Sequence, residues 1–125
     1  MKVCVLSGGV GGARFVRGLA IAIAPADVTV VGNVGDDVEV LGVHVSPDLD
    51  SLLYALAGVN DTERGWGRAA ETWNALATVA ELGGESWFRL GDRDLGLHLV
   101  RTQLLREGAT LSIATAWAIA SSVPP

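Results

Sequence analysis

The chain carries one cysteine, Cys4, which excludes a disulfide framework and a cysteine-ligated zinc site. Basic residues are scarce: nine Lys and Arg stand against fourteen Asp and Glu, for a net charge of −5. A general nucleic-acid binder shows the opposite balance, with clustered Lys and Arg that replace phosphate counterions. The same shortage disfavours an anionic membrane surface. No apolar run reaches the roughly 18 residues that a spanning helix needs. The opening MKVCVL reads as a strand rather than as the basic stretch and apolar core of a signal peptide. Gly8 to Gly12 would break a signal helix, so the expected compartment is the cytoplasm.

Charged residues are only 18% of the chain and apolar ones 50%, too apolar a balance for intrinsic disorder. The 125 residues amount to about one small domain. A globule of this size buries roughly two-thirds of its unfolded surface and needs no covalent staple. Glycine is plentiful, at sixteen residues, and clusters where loops are expected.

Hydrophobic patterning gives the order of elements. Residues 2–7, KVCVLS, read as a buried strand closed by a tight Gly-Gly turn. Residues 12–23 read as a helix stopped by Pro25, with Gly18 an unhelpful interior residue unless something packs closely there. Residues 28–32 form a second strand, and 38–45 a further short strand or extended segment. Ser46-Pro47-Asp48 marks a helix start, with Asp48 placed as its N-cap and Gly58 closing it. A polar loop covers 59–68, a helix 69–82, a loop Arg89–Asp94 and a last good helix 95–108. Ile113–Ser122 is apolar and alanine-rich, before Val123-Pro124-Pro125.

Strands separated by a helix imply a parallel sheet with crossover connections. The expected fold is α/β: a Rossmann-like part over about 1–45, then a mainly helical part over about 46–112. Two or three strands make a small sheet, which suggests the N-terminal portion of a longer α/β protein.

Four segments carry chemistry. Ser7-Gly8-Gly9-Val10-Gly11-Gly12-Ala13-Arg14 lies between a strand and a helix. Glycines let a backbone approach phosphate closely, and a helix N-terminus offers free N–H groups and partial positive charge. Gly8, Gly9, Gly11, Gly12 and Arg14 are therefore the expected nucleotide-phosphate contacts. Arg14 stands where a dinucleotide fingerprint needs its third glycine, and no Lys-Ser/Thr follows as in a P-loop, so neither motif is met. A tight turn alone would need fewer glycines.

In Asn33-Val34-Gly35-Asp36-Asp37, beyond the second strand, the acids share the carboxyl rim where α/β sheets hold ligands. Asp36, Asp37 and Asp48 are the candidate Mg²⁺ ligands, since that ion takes oxygen donors; a solvated Asp-Gly turn explains the first two equally well. Asp48 has a competing reason to exist as a cap. Asp50, two residues on, has a weaker one and is the better functional candidate. In Trp87-Phe88-Arg89-Leu90-Gly91-Asp92-Arg93-Asp94, a cation beside aromatics can hold a phosphate or stack on a flat ring. Asp92 and Asp94 could simply begin the last helix. His98 reads as structural, and Trp66, between two glycines, covers either a flat pocket or the core.

In order, SGGVGGARFVRGL, NVGDD, SPDLDSLLYALAG, RGWG, ETWNA and WFRLGDRDLGLHLVRTQLLREG resemble the 2-phospho-L-lactate transferase family, most closely its actinobacterial branch. The resemblance covers the chain to about Ser112; Ile113–Pro125 departs from the pattern, and the family's chains are longer. It implies an enzyme of coenzyme F-420 biosynthesis that uses Mg²⁺. The donor would be GDP-activated 2-phospholactate or phosphoenolpyruvate. The acceptor would be the ribityl hydroxyl of 7,8-didemethyl-8-hydroxy-5-deazariboflavin (Fo), with GMP released. The family's deazaflavin contacts fall on Asp50, also the implied catalytic carboxylate, and on Arg89. A homodimer is admitted, not required. The alternatives are a glycine-loop protein acting on another sugar nucleotide and a non-catalytic nucleotide-binding regulator; only the transferase should bind a deazaflavin.

Overall fold

The computed structural model of the chain describes residues 1–122. These fold as two compact units, one made of Met1–Asp37 and Ser46–Gly67, the other of Val38–Val45 and the chain from Arg68 onward.

In the first unit, β1 (Val3–Ser7) and β2 (Val28–Gly32) pair in parallel, from Val3 opposite Val28 to Ser7 opposite Gly32. The β-branched residues suit a pleated surface, and the parallel direction requires a crossover, which α1 (Gly9–Ala22) supplies. Period-two alternation sends Val5 and Val30 inward, against Ala13 and Val16 of α1 and Leu52 and Ala55 of α2 (Pro47–Ala57). Cys4, Leu6, Thr29 and Val31 face outward and are exposed. Proline opens α2 at its first position, where an N–H would be unpaired anyway. Gly58 closes it in the left-handed conformation at φ 70°, with its N–H donated to the Ala55 carbonyl.

The helix expected over 12–23 starts three residues earlier, at Gly9. The glycine cluster is thus the first turn of α1 and not a loop ahead of it. Gly8 is the extended N-cap, and Gly9 enters at φ 65°, a value side chains rarely adopt.

In the second unit, the segment expected as one extended stretch is an antiparallel hairpin, β3 (Val38–Val40) and β4 (Val43–Val45). Leu41 and Gly42, at φ 51° and 77°, make the turn; both positive values match the right-handed strand twist. Val40, Val43 and Val45 bury against Leu90, with Phe88 and Leu95 packed alongside. The remaining elements are α3 (Asn74–Glu81), α4 (Asp92–Arg106) and α5 (Leu111–Ser122). The His44 N–H donates to Thr102 Oγ1 at 2.8 Å, and Arg106 Nη2 to the Gly42 carbonyl at 3.2 Å, tying the hairpin to α4.

The helix expected over 69–82 is shorter at its start, and that over 95–108 begins earlier, at Asp92, for one reason. Each end is capped by an acid from the other. Asp92 accepts from Thr72 Oγ1 and from the N–H groups of Asn74 and Ala75, at 3.1 and 2.9 Å, the opening of α3. Glu71 accepts from the N–H groups of Arg93 and Asp94, at 2.8 and 3.1 Å, the opening of α4. Any side chain at Gly91 would collide with Glu71. The apolar segment Ile113–Ser122 lies in α5, while Val123–Pro125 lie outside the described residues. No helix among the described residues is long and apolar enough to cross a membrane.

Candidate functional site at the start of the first helix

Four chain segments of the first unit meet at the N-terminus of α1. Gly8 brings no cap: it makes no side-chain hydrogen bond, and the first turn of α1 holds no acid. The capping group comes from α2. Asp48 Oδ1 accepts the Gly9 N–H at 2.7 Å, and Asp48 Oδ2 accepts from Asn33 Nδ2 at 2.6 Å. Asp48 was expected to cap its own helix. It occupies the second position of α2 instead, turns away from it and caps α1. Its carboxylate is favoured there by the positive end of the α1 dipole.

Asn33 organises the rim beyond β2. Its Nδ2 also donates to Asp36 Oδ2 at 3.2 Å, its Oδ1 accepts the Gly35 N–H at 3.0 Å, and its own N–H pairs with the Ser7 carbonyl at 2.9 Å. Asp37 Oδ2 accepts from the buried Ser46 hydroxyl at 2.8 Å. Asp36 is exposed, Asp37 half-buried and Asp48 buried. The three candidate metal ligands offer only oxygen, which suits Mg²⁺, but their carboxylates do not gather within 4.8 Å of one another as a single cluster.

The glycines differ in what surrounds them. A side chain at Gly11 would meet nothing within 4 Å, and that residue is exposed; one at Gly12 would collide with Ser7 Oγ. Gly8 lies in ordinary contact range of Asn33 Cβ and Asp48 Oδ2, at 3.6 and 3.9 Å for a built Cβ. Arg14 sits more than a turn into α1, with its Nη2 beside Gly65, and lines a cleft with Tyr54, Asp61 and Trp66. It therefore stands beside the α1 start rather than at its tip. Trp66 belongs to this cleft and carries the Arg64 guanidinium 4.5 Å from its ring centre.

Asp50 is buried in the first turn of α2, at 5% exposure, with its N–H donated to the Ser46 carbonyl. In the second unit Arg89 is exposed, and its guanidinium lies 4.8 Å from the ring centre of Trp73. Its expected neighbours do otherwise: Trp87 packs edge-on against Phe88, at 89° and 5.5 Å. His98 is fully buried in α4, with Nε2 3.3 Å from Asp94 Oδ2. Sequence reasoning passed over Ser7 and Asn33 as site residues. The only signal was position, at or just beyond the carboxyl ends of two adjacent parallel strands.

A strand, a glycine-built helix start and a parallel second strand with acids at its rim define an α/β protein of Rossmann-like type. Comparison with known proteins gives the family. The chain belongs to the 2-phospho-L-lactate transferase CofD family, whose profile matches residues 3–123. It is 52% identical over 117 residues to a phosphoenolpyruvate transferase of Kitasatospora aureofaciens, and 52% over 116 residues to one of Streptomyces avermitilis. These alignments cover 92% of this chain and 36% of each relative. It is also 49% identical over 125 residues to a phosphoenolpyruvate transferase of Mycolicibacterium smegmatis, covering 92% of this chain and 38% of that protein. The chain thus spans little more than a third of the length of these relatives.

Proposed function

We propose that this chain forms the nucleotide-binding part of a transferase in coenzyme F-420 biosynthesis. The enzyme moves a phosphoenolpyruvyl or phospholactyl group from its GDP-activated form to the ribityl hydroxyl of the deazaflavin Fo and releases GMP. The observation that carries the reading is the family match over residues 3–123. The names of the relatives favour phosphoenolpyruvate as the carried acid. The reaction sits in the cytoplasm.

The geometry at α1 supports a nucleotide there. Asp48 takes the Gly9 N–H, and the amides of Val10 and Gly11 have no carbonyl ahead of them in the helix. Those two N–H groups receive a phosphate oxygen at the positive end of the helix, where no side chain at Gly11 stands in the way. Phosphoryl transfer is mainly positioning plus charge stabilisation, work suited to fixed backbone donors. Asp36, Asp37 and Asp48 are the residues to hold Mg²⁺, which when bound offsets the charge of the phosphates. Arg14, on the flank of α1, adds positive charge to the same side of the helix. Asp50 orients the acceptor hydroxyl and takes its proton, while Arg89 holds the flat deazaflavin by stacking or hydrogen bonding.

The test is a pair of titrations on this chain with Mg²⁺ present: Fo by fluorescence and GDP by calorimetry. A hydrogen bond to a charged group is worth about 1.5–3 kcal/mol, so Asp50→Ala should weaken Fo binding by roughly 10- to 150-fold. GDP affinity should hardly change. Loss of GDP binding with unchanged Fo binding would reverse the assignment of the two subsites.

A further inference from the structure

One buried polar group at the α1 start has no structural explanation. Ser7 ends β1 with only 6% of its surface exposed, and its Oγ makes no hydrogen bond. The hydroxyl lies against the first turn of α1, since a side chain at Gly12 would run into it. Burying a hydroxyl without a partner is unfavourable, and valine or alanine would serve the strand and the core better. Next to it is a helix start without a cap of its own: Gly8 offers no side-chain acceptor and the first turn carries no acid. Asp48 satisfies one amide, that of Gly9, and leaves the following ones to an outside acceptor. A hydroxyl rotates freely about its Cβ–Oγ bond and so can turn its proton toward an anion that arrives.

We propose that the Ser7 hydroxyl is a binding residue for the diphosphate of a nucleoside diphosphate, donating to a phosphate oxygen held at the first turn of α1. The inference rests on the nucleotide reading above and adds a side-chain hydroxyl donor at the first turn itself. Ser7 Oγ has no hydrogen-bond partner within the protein because its acceptor belongs to the ligand. Gly12 lacks a side chain so that the hydroxyl has room to turn.

The experiment compares the unsubstituted chain with Ser7→Ala in two measurements. Calorimetry reads the affinity for inorganic pyrophosphate and for GDP. A thermal melt without ligand reads stability. The expected result is pyrophosphate and GDP affinity about 10-fold or more weaker in Ser7→Ala, as for loss of one charge-assisted hydrogen bond, with the unliganded melting temperature unchanged or raised. Equal affinities in the two chains would overturn the role of Ser7 and leave the nucleotide reading standing. Absence of pyrophosphate and GDP binding in the unsubstituted chain would overturn both. A lowered melting temperature in Ser7→Ala would show that the hydroxyl serves the fold, and would overturn the proposal as well.

Discussion

At the scale of single residues, two of the glycines in α1 differ in their surroundings. Gly18 lies in the interior of α1, and a methyl group there would meet nothing within 4 Å. The condition that would justify a glycine in mid-helix, close packing, is absent. Gly18→Ala should therefore stabilise the chain by about 0.5–1 kcal/mol, through the helix preference of alanine and the lower entropy of the unfolded chain. Gly12→Ala makes the same local change at a crowded place. Collision with Ser7 Oγ should cost about 1–3 kcal/mol, more than the helix gain returns. Urea unfolding of the two variants checks both signs. A stabilising Gly12→Ala would mean that Ser7 does not lie where it is described. Neither outcome is written in the sequence, where Gly18 is an unhelpful interior residue and Gly12 one of the expected phosphate contacts.

At the scale of elements, the starts of α1, α3 and α4 are satisfied by acids from elsewhere in the chain. Asp48 serves α1 from α2, Asp92 serves α3 from α4, and Glu71 serves α4 from the segment before α3. Hydrogen bonds to Thr72 Oγ1 and to the Ala75 N–H hold the Asp92 carboxyl below its ordinary value of 3.8, against a smaller opposing effect of burial. A carboxyl whose pKa is lower when folded contributes stability above its unfolded value. That contribution fades as pH falls through the lower folded value. Asp92→Ala should thus lower the melting temperature at neutral pH, and the gap to the unsubstituted chain should close below about pH 4. Melting curves across pH 2–7 measure it, and a gap that persists unchanged at the acid end would mean that the charge of Asp92 plays no part.

The same elements show where sequence reasoning reached and where it stopped. β1, β2 and the Pro47–Gly58 helix were legible because runs of valine, a proline at a helix start and a glycine at a helix end act locally. The direction of Asp48 was not legible. Ser46-Pro47-Asp48 has the form of a local cap, and only packing of α1 on α2 brings the Gly9 N–H into reach. The start of α4 at Asp92 was open to the same limit, since its partner Glu71 is 22 residues before Arg93. Arg89 was correctly marked as a cation among aromatics, yet the ring it lies over is Trp73, sixteen positions away and not its neighbour Trp87. The hairpin at Leu41-Gly42 was missed because a leucine at positive φ carries no turn signal.

At the scale of the whole molecule, the proposed role of this chain, which spans about 36% of the length of its relatives, rests on a guanosine nucleotide docking at the start of α1. The claim ties the family match to Gly9, Val10, Gly11, Asp48 and Ser7, all within the first unit. The most direct measurement is residue-by-residue amide NMR of the ¹⁵N-labelled chain during titration with GDP and Mg²⁺. The account predicts that the largest shifts fall on Ser7 to Gly12, with a second set at Asn33–Asp37 and Asp48. Shifts confined to residues after Arg68, with the Gly9–Gly12 amides unmoved, would contradict it.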